Sequence, residues 1–133
     1  IDNGKLVMPG VIAMNSDAFT TYENAQKELE TLNLQLQTLN TEGIMLIVLV
    51  DDADFVATTL NNFLWVTFTR SNPANDIYGV NEFINNKHWG CEGPLIIDAR
   101  IKPHHAPVLE KDETIEKQVE KLSKKGASLF GII

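Results

Sequence analysis

The stretch Ile44–Val50, "IMLIVLV", followed by Asp51-Asp52-Ala53-Asp54, decides the fold. Seven apolar residues without any alternation predict a strand that is buried on both faces, as in a sheet with helices on both sides. Acidic residues directly after a strand are typical of a loop that caps a following helix. This stretch therefore predicts the strand, loop and helix of an α/β domain.

The segments on either side fit the same architecture. An amphipathic helix is predicted over 22–39, a helix over 55–70, short strands over 76–80 and 94–97, and a charged helix over about 112–125. We expect residues 81–93 to be irregular and the first fourteen residues to be edge strands or a linker. The first helix depends on leucines at three- and four-residue steps, namely Leu29, Leu32, Leu36 and Leu39. The order of elements predicts a three-layer αβα domain with a largely parallel or mixed sheet.

Composition limits the classes of function. A chain of 133 residues is expected to form a single domain, 1–133, whose residues 1–20 are the possible linker or edge strands. A net charge of −7 disfavours nucleic acid as a partner, and the longest apolar run is too short for a transmembrane segment. The single cysteine, Cys91, favours a reducing, cytoplasmic location. Because the chain begins with Ile1, we expect it to be a piece of a longer protein.

Acidic residues at strand ends are the first candidates for chemistry. Asp51, Asp52 and Asp54 follow one predicted strand and Asp98 follows another, at the ends where ligands of open α/β sheets bind. Such carboxylates could hold Mg²⁺, as in a receiver-like phospho-acceptor module or another small-ligand domain. Capping of the next helix is the structural alternative, and we favour it because little chain remains after Asp98 for two further strands.

Histidines and basic residues are the second group of candidates. His104 and His105 are adjacent on a proline-flanked, extended segment, so their side chains point to opposite sides and do not converge on one metal. An exposed arm that packs on another domain is the favoured interpretation. Arg70 either complements the end of a helix or pairs with Asp76, whereas Arg100 and Lys102 could bind an anionic substrate but more often such residues are solvated.

An ordered set of short motifs carries a resemblance to a known family. After the aliphatic strand with its acids come "TRSNPAND", with Thr69, Arg70, Asn72, Pro73 and Asp76, and then "IDARIK", with Ile97, Asp98, Ala99 and Lys102. Over about residues 43–107 the chain resembles the C-terminal domain of UbiD-type decarboxylases. Arg100 departs from the family, which more commonly has threonine there.

The resemblance implies a function for the parent protein. The family consists of non-oxidative carboxy-lyases of aromatic or α,β-unsaturated acids, among them 3-octaprenyl-4-hydroxybenzoate in quinone biosynthesis. Its members use prenylated FMN, Mn²⁺ and K⁺, which an earlier domain binds. The resemblance therefore assigns no catalytic, cofactor-binding or metal-binding residue here, and this fragment is expected to be inactive alone. Its partners would be the N-terminal flavin-binding domain, whose active site it covers, and other subunits of a homo-oligomer.

Candidate residues for the family motif or for contacts between domains follow from these patterns. We also expect Phe83, Trp89, the arm through His104 and His105 and the apolar tail at 128–133 to take part in association. The tail is expected to pack either on its own sheet or on a second copy, and the second alternative predicts at least a weak dimer. The motif and interdomain candidates are Asp51, Asp52, Arg70, Pro73, Asp76, Asp98, Lys102, His104 and His105.

Overall fold

The computed structural model describes residues 4–103. Its elements follow the alternation of strands and helices that the sequence predicts. In chain order they are β1 Gly4–Met8, β2 Val11–Asn15, α1 Tyr22–Thr38, β3 Leu46–Val50, α2 Ala53–Thr58, α3 Leu60–Thr69, β4 Ile77–Gly79, β5 Glu82–Asn85, β6 His88–Cys91 and β7 Leu95–Asp98.

Five strands form one mixed sheet in the order β1-β2-β3-β7-β4. The three central strands, β2, β3 and β7, are parallel, and the edge strands β1 and β4 are antiparallel to their neighbours. β7 is the last of these strands in sequence, yet it lies between β3 and β4. The carboxyl ends of the three parallel strands consequently meet at one edge of the sheet, and the predicted α/β class with a mixed sheet is confirmed.

Helices cover both faces of the sheet, because the strands are apolar on both sides. On β3, Val48 and Val50 belong to the core that includes residues of α2 and α3. Ile47 and Leu49 belong to the opposite core, with Leu29 and Leu36 of α1. Successive strand residues point to opposite faces, so one strand serves both cores. The three-layer αβα arrangement is thereby confirmed.

The helix predicted over 55–70 is two helices. Thr59 breaks it, with extended backbone angles of φ −141° and ψ 155°. Its side chain accepts a hydrogen bond of 3.0 Å from the amide of Asn62 and so caps the start of α3. Threonine suits this position because its β-branched side chain favours extended backbone and its hydroxyl caps a helix.

Residues 81–93, predicted to be irregular, contain a β-hairpin. β5 and β6 pair in antiparallel register with Phe83 opposite Gly90 and Ile84 opposite Trp89. The two-residue turn between them has positive φ at Asn86 (50°) and at Lys87 (66°), as a type I′ turn requires. The prediction was wrong because this turn lacks the usual glycine and the strands are short and exposed.

The start of the described chain also forms β-strands. β1 and β2 form a hairpin around Pro9-Gly10, where Gly10 adopts a φ of 84° that favours glycine. β1 is the edge strand that one of the two sequence alternatives proposed, and β2 lies one position inside the sheet. None of the helices within residues 4–103 has both the length and the apolar character needed to cross a membrane.

Candidate functional site

Polar side chains mark the carboxyl ends of the three parallel strands. Asn15 ends β2, Asp51 follows β3 and Asp98 ends β7. The Asn15 side-chain oxygen accepts a hydrogen bond of 2.7 Å from the amide of Ala53 at the start of α2. The Asp51 carboxylate accepts a hydrogen bond of 2.7 Å from the amide of Ile101, just past β7. The strand ends are thus bonded to the segments that leave neighbouring strands, and a charged cluster lies beside them.

Asp98 and Arg100 form the centre of that cluster. The guanidinium donates two parallel hydrogen bonds of 2.9 Å to the two carboxylate oxygens, and the Arg100 amide adds a third at 3.2 Å. The remaining Arg100 nitrogen donates to Glu28 (2.7 Å) and to the carbonyl of Asp17 (3.0 Å). Both Asp98 and Arg100 are fully buried. This fork geometry is a strong form of ion pair and satisfies most of the buried donors.

Lys102 is buried beside this pair, with 2% of its surface exposed. Its ammonium donates to three backbone carbonyls, those of Asp98 (2.7 Å), Arg70 (2.9 Å) and Arg100 (3.1 Å). Three acceptors match the three N–H donors of a protonated lysine. Carboxylate oxygens of Asp76 and Asp98 each lie 3.7 Å away. We call Glu28, Asp76, Asp98, Arg100 and Lys102 the strand-end cluster.

Burial and charge shift the pKa values in the cluster in different directions. Burial alone would raise the pKa of Asp98, but the hydrogen bonds and charge of Arg100 and the charge of Lys102 hold it below its usual value. Burial would lower the pKa of Arg100, but Asp98 and Glu28 raise it. For Lys102, burial outweighs the nearby acids and lowers the pKa. The three carbonyl acceptors nevertheless fit the charged ammonium form.

Asp76 connects the cluster to the turn after α3. Its buried carboxylate accepts a hydrogen bond of 2.6 Å from the amide of Asn72. This bond closes the loop that contains Pro73. It also acts on Tyr22 at the start of α1. Burial, the Asp76 charge and a hydrogen bond with Asp76 raise the pKa of Tyr22 to about 12. Asp76 therefore holds three parts of the chain together, namely the turn, α1 and Lys102.

Arg70 ends α3, as one of the two sequence alternatives proposed. Its guanidinium lies 3.9 Å from the Asp51 carboxylate and 5.3 Å from the centre of the Trp65 ring. The proposed pairing of Arg70 with Asp76 was wrong, because Asp76 faces Lys102 and the backbone of Asn72. The carbonyl of Arg70 is the group that joins the cluster, through Lys102.

The receiver-like alternative is not favoured by these contacts. Asp52 caps α2 by accepting a hydrogen bond of 3.1 Å from the amide of Phe55. This is the structural alternative that the sequence offered for the acidic residues. Asp98 is fully buried and paired with Arg100, so its carboxylate is not presented to a phosphate donor. Within residues 4–103, no group of three or more His, Cys, Asp or Glu residues could hold a metal ion.

The interpretation of Arg100 and Lys102 as solvated or substrate-binding residues was wrong, and Glu28, a partner of Arg100, was not among the candidates. Arg100 and Lys102 are both buried in internal ion pairs. Asp98, Arg100 and Lys102 recur at every second position, which places them on one side of an extended chain. That spacing of an acid and two bases is the signal that internal pairing was available. Glu28 and Phe19, whose ring lies 5.5 Å from the Arg100 guanidinium, carried no such signal.

Pro73 is exposed in its turn, and His104 and His105 lie outside the described residues. The structure thus brings together five of the nine candidates, in two neighbouring groups that the hydrogen bond from Lys102 to the Arg70 carbonyl joins. Asp76, Asp98 and Lys102 meet inside the cluster, while Asp51 and Arg70 meet beside it.

Comparisons with known proteins give this geometry a context. The chain is 32% identical over 74 residues to a Chlamydia pneumoniae protein that is named as a subunit of 4-hydroxybenzoate decarboxylase. This chain is similar to part of a decarboxylase subunit. The match covers 56% of this chain and 13% of that protein. An uncharacterized protein of Chlamydia muridarum is 36% identical over 86 residues, covering 65% of this chain and 15% of its own length. The chain therefore spans a small part of these relatives.

No family model matches the chain. Among solved structures, an open form of vanillic acid decarboxylase from Sedimentibacter hydroxybenzoicus is similar, with a TM-score of 0.47 and 17% identity. The match covers 85% of this chain and 26% of that one.

Proposed function

We propose that this chain is the C-terminal domain of a UbiD-like non-oxidative decarboxylase that acts on aromatic or α,β-unsaturated acids. The observation that carries the proposal is the 32% identity over 74 residues to a protein named as a decarboxylase subunit for 4-hydroxybenzoate, an aromatic acid. The family motifs "TRSNPAND" and "IDARIK" lie in the part of the chain that forms the cluster.

The strand-end cluster supports a structural role for those motifs. Asp76, Asp98 and Lys102 are buried, and their charged groups contact one another, Arg100 and the backbone. A catalytic acid or base must reach its substrate directly or through one water. These residues are buried and bonded to protein groups of the strand end, so we propose that they hold the end of β7 and the loops around it. Catalysis, prenylated FMN, Mn²⁺ and K⁺ would belong to the flavin-binding domain of the parent.

The β5–β6 hairpin supports a contact with the rest of the parent or with another subunit. Phe83, Ile84 and Trp89 are 46%, 76% and 46% exposed on this small sheet. Ile84 and Trp89 face each other across the two strands and share one face of the hairpin, and exposed apolar patches of this kind mark interaction sites. We propose that the hairpin contacts the flavin-binding domain or a neighbouring copy in a homo-oligomer.

The experiment compares this chain with the parent protein. The parent, supplied with prenylated FMN, Mn²⁺ and K⁺, should release CO₂ from at least one acid of a panel that contains 4-hydroxybenzoate and cinnamate-type acids. The chain alone should release none under the same conditions. CO₂ release by the chain alone would contradict the division of roles, and a parent that decarboxylates no acid of either class would contradict the function.

Two variants of the parent test the hairpin contact. Ile84→Ser should weaken oligomerisation or activity, because it removes the most exposed apolar side chain of the hairpin. Leu6→Ser is the matched control, since Leu6 is 69% exposed on β1, at the edge of the sheet opposite to β4, from which the chain enters the hairpin. Equal effects of the two variants on sedimentation and on turnover would contradict the assignment of the hairpin as the contact surface.

A further inference from the structure

The guanidinium of Arg70 lies at the carboxyl edge of the sheet with its hydrogen-bonding capacity unused. Its side chain is 16% exposed, and the Asp51 carboxylate, 3.9 Å away, is too distant for a hydrogen bond. The guanidinium carries five N–H groups and donates no hydrogen bond to any residue in the range 4–103. The Arg100 guanidinium, in contrast, donates to two carboxylates and a carbonyl. Buried polar groups normally have partners, so the N–H groups of Arg70 indicate a place for an acceptor.

The neighbours of Arg70 hold its guanidinium in place without satisfying these donors. The Asp51 oxygen nearest to the guanidinium already accepts a hydrogen bond of 2.7 Å from the amide of Ile101. The guanidinium also lies over the Trp65 ring, 5.3 Å from its centre, within range of a cation–π interaction. One contact is an ion pair and the other is with a ring face, so the N–H groups remain available for a further acceptor.

Apolar side chains lie next to this cation. Trp65 is 36% exposed, and Ile101, whose amide bonds to the same Asp51 oxygen, is 46% exposed. Phe68 is 70% exposed and follows Trp65 by three residues, which makes the two side chains neighbours on the surface of α3. No charged residue occurs within α3 itself. A ligand that suits Arg70 and these side chains therefore combines an anionic group with an apolar body.

The acidic surroundings select the kind of anion. Asp51, Asp52 and Asp54 follow β3 at the same edge of the sheet, where their negative charges repel an anion. A phosphate dianion is repelled about twice as strongly as a monoanion at the same place. A carboxylate carries a single charge, and its two oxygens match the planar fork of a guanidinium. A monocarboxylate is consequently favoured over phosphate.

We propose that Arg70, Trp65 and Ile101 form a binding site for a small aromatic monocarboxylate, whose carboxylate accepts two hydrogen bonds from the guanidinium and whose ring packs on the two apolar side chains. The site lies beyond the carboxyl ends of parallel strands, where ligands of open α/β sheets bind. The function proposed above assigns no ligand to this domain, so the site goes beyond it. Binding is measured without turnover, and the two proposals can therefore fail separately.

Titration followed by NMR spectroscopy tests the site in this chain. Trp89→Phe leaves Trp65 as the single tryptophan, so its indole N–H gives one signal. Benzoate should shift that signal in a saturable manner at millimolar concentrations. Benzamide keeps the ring without the charge, and acetate keeps the carboxylate without the ring, so each should bind about tenfold more weakly than benzoate. Inorganic phosphate should also bind more weakly than benzoate.

Three results of this titration would overturn the proposal. Equal binding of benzoate and benzamide would show an apolar contact that does not use the Arg70 charge. Phosphate that binds as tightly as benzoate would contradict the carboxylate class. An indole signal that benzoate does not shift saturably would show that the site takes no small aromatic acid, and would leave a carboxylate on another protein as the acceptor.

Variants of Arg70 show whether its guanidinium is the binding group. Arg70→Lys keeps a positive charge beside Asp51 and the backbone carbonyl that accepts from Lys102, but it loses the planar fork. The dissociation constant of benzoate should therefore rise about tenfold in Arg70→Lys, and at least as much in Arg70→Gln.

Lys27→Gln is the matched control for the loss of one positive charge. Lys27 lies on the surface of α1, which packs on the opposite face of the sheet from α3, and pairs there with Glu23 at 3.9 Å. Its replacement should leave the dissociation constant of benzoate unchanged. An equal rise in Lys27→Gln and Arg70→Gln, or unchanged binding in Arg70→Lys, would overturn the assignment of the site to the Arg70 guanidinium.

Discussion

Replacing Lys102 by methionine should remove about 3–5 kcal/mol from the free energy of unfolding, the usual loss when one partner of a buried ion pair is deleted. Methionine keeps most of the length and apolar volume of lysine but has no donor. The change leaves three carbonyls without the hydrogen bonds of 2.7–3.1 Å that Lys102 donates. It also leaves Asp76 without the ammonium at 3.7 Å. Each buried group that loses its partner costs about 1–3 kcal/mol, so the lower end of that range for four groups, about 4 kcal/mol, lies within the loss expected for the ion pair.

Urea denaturation followed by circular dichroism measures this loss. Lys5→Met is the matched control, because Lys5 pairs with Asp54 at 3.5 Å on the surface, where both side chains are more than half exposed. An exposed pair contributes about 0–1 kcal/mol, so the control should lose no more than that. A loss below about 1 kcal/mol for Lys102→Met would refute the conclusion that the cluster stabilises the domain, because it would equal a surface pair.

Adding Asp76→Asn to Lys102→Met tests the pairing itself. Asparagine keeps an oxygen that can accept from the amide of Asn72, which is 2.6 Å from the Asp76 carboxylate. Once Lys102 is gone, Asp76 has lost its ion-pair partner. Asp76→Asn should therefore cost about 0.5–3 kcal/mol less unfolding free energy in the Lys102→Met chain than in the original chain. Additive losses would show that Asp76 and Lys102 act independently.

Three further predictions concern other parts of the domain. Thr59→Ala should cost about 1 kcal/mol of unfolding free energy in urea, because the start of α3 loses its cap; no loss would contradict the capping role. Gly93→Ala should cost about 1–3 kcal/mol, since a new Cβ would lie 2.6 Å from the Cβ of buried Val80; a neutral change would contradict this packing. Tyr22 has its pKa raised from 10.0 to about 12, so the phenol stabilises the fold fully below pH 10 and this contribution is lost as the pH rises through 12. Stability measured across that range should therefore fall less steeply in Tyr22→Phe, and equal slopes would refute the assignment to Tyr22 of this pH dependence.

The layered architecture could be predicted because its signals are local. The unbroken apolar run of β3 requires cover on both faces, and the leucine spacing of α1 requires a single buried stripe. The predicted helix over 22–39 differs by one residue from α1, which ends at Thr38. These patterns depend on the immediate chain, so a sequence without any relatives still carries them.

The cluster and the hairpin could not be predicted to the same extent. Glu28 and Arg100 are 72 residues apart, and nothing local indicates that they meet at 2.7 Å. Arginine is a residue type that is usually exposed to solvent, and Arg100 is buried only because of the tertiary fold. The β5–β6 turn uses Asn86 and Lys87 at positive φ where glycine is expected, so its signal was weak. Long-range charge pairing and unusual turn residues are the features that sequence patterns represent least.

The position of β7 has a consequence for synthesis on the ribosome. Among residues 4–103, β4 pairs with β7 alone, and β3 gains its second neighbour once Leu95–Asp98 has emerged. Until then β3 presents an unpaired edge, which is a template for association with other chains. Arg100 and Lys102 emerge directly after that strand, so Glu28 and Asp76 gain their cations at the moment the sheet closes. A nascent chain that stalls before this point exposes the centre of its sheet, and chaperones that shield unpaired strands would have their greatest effect there.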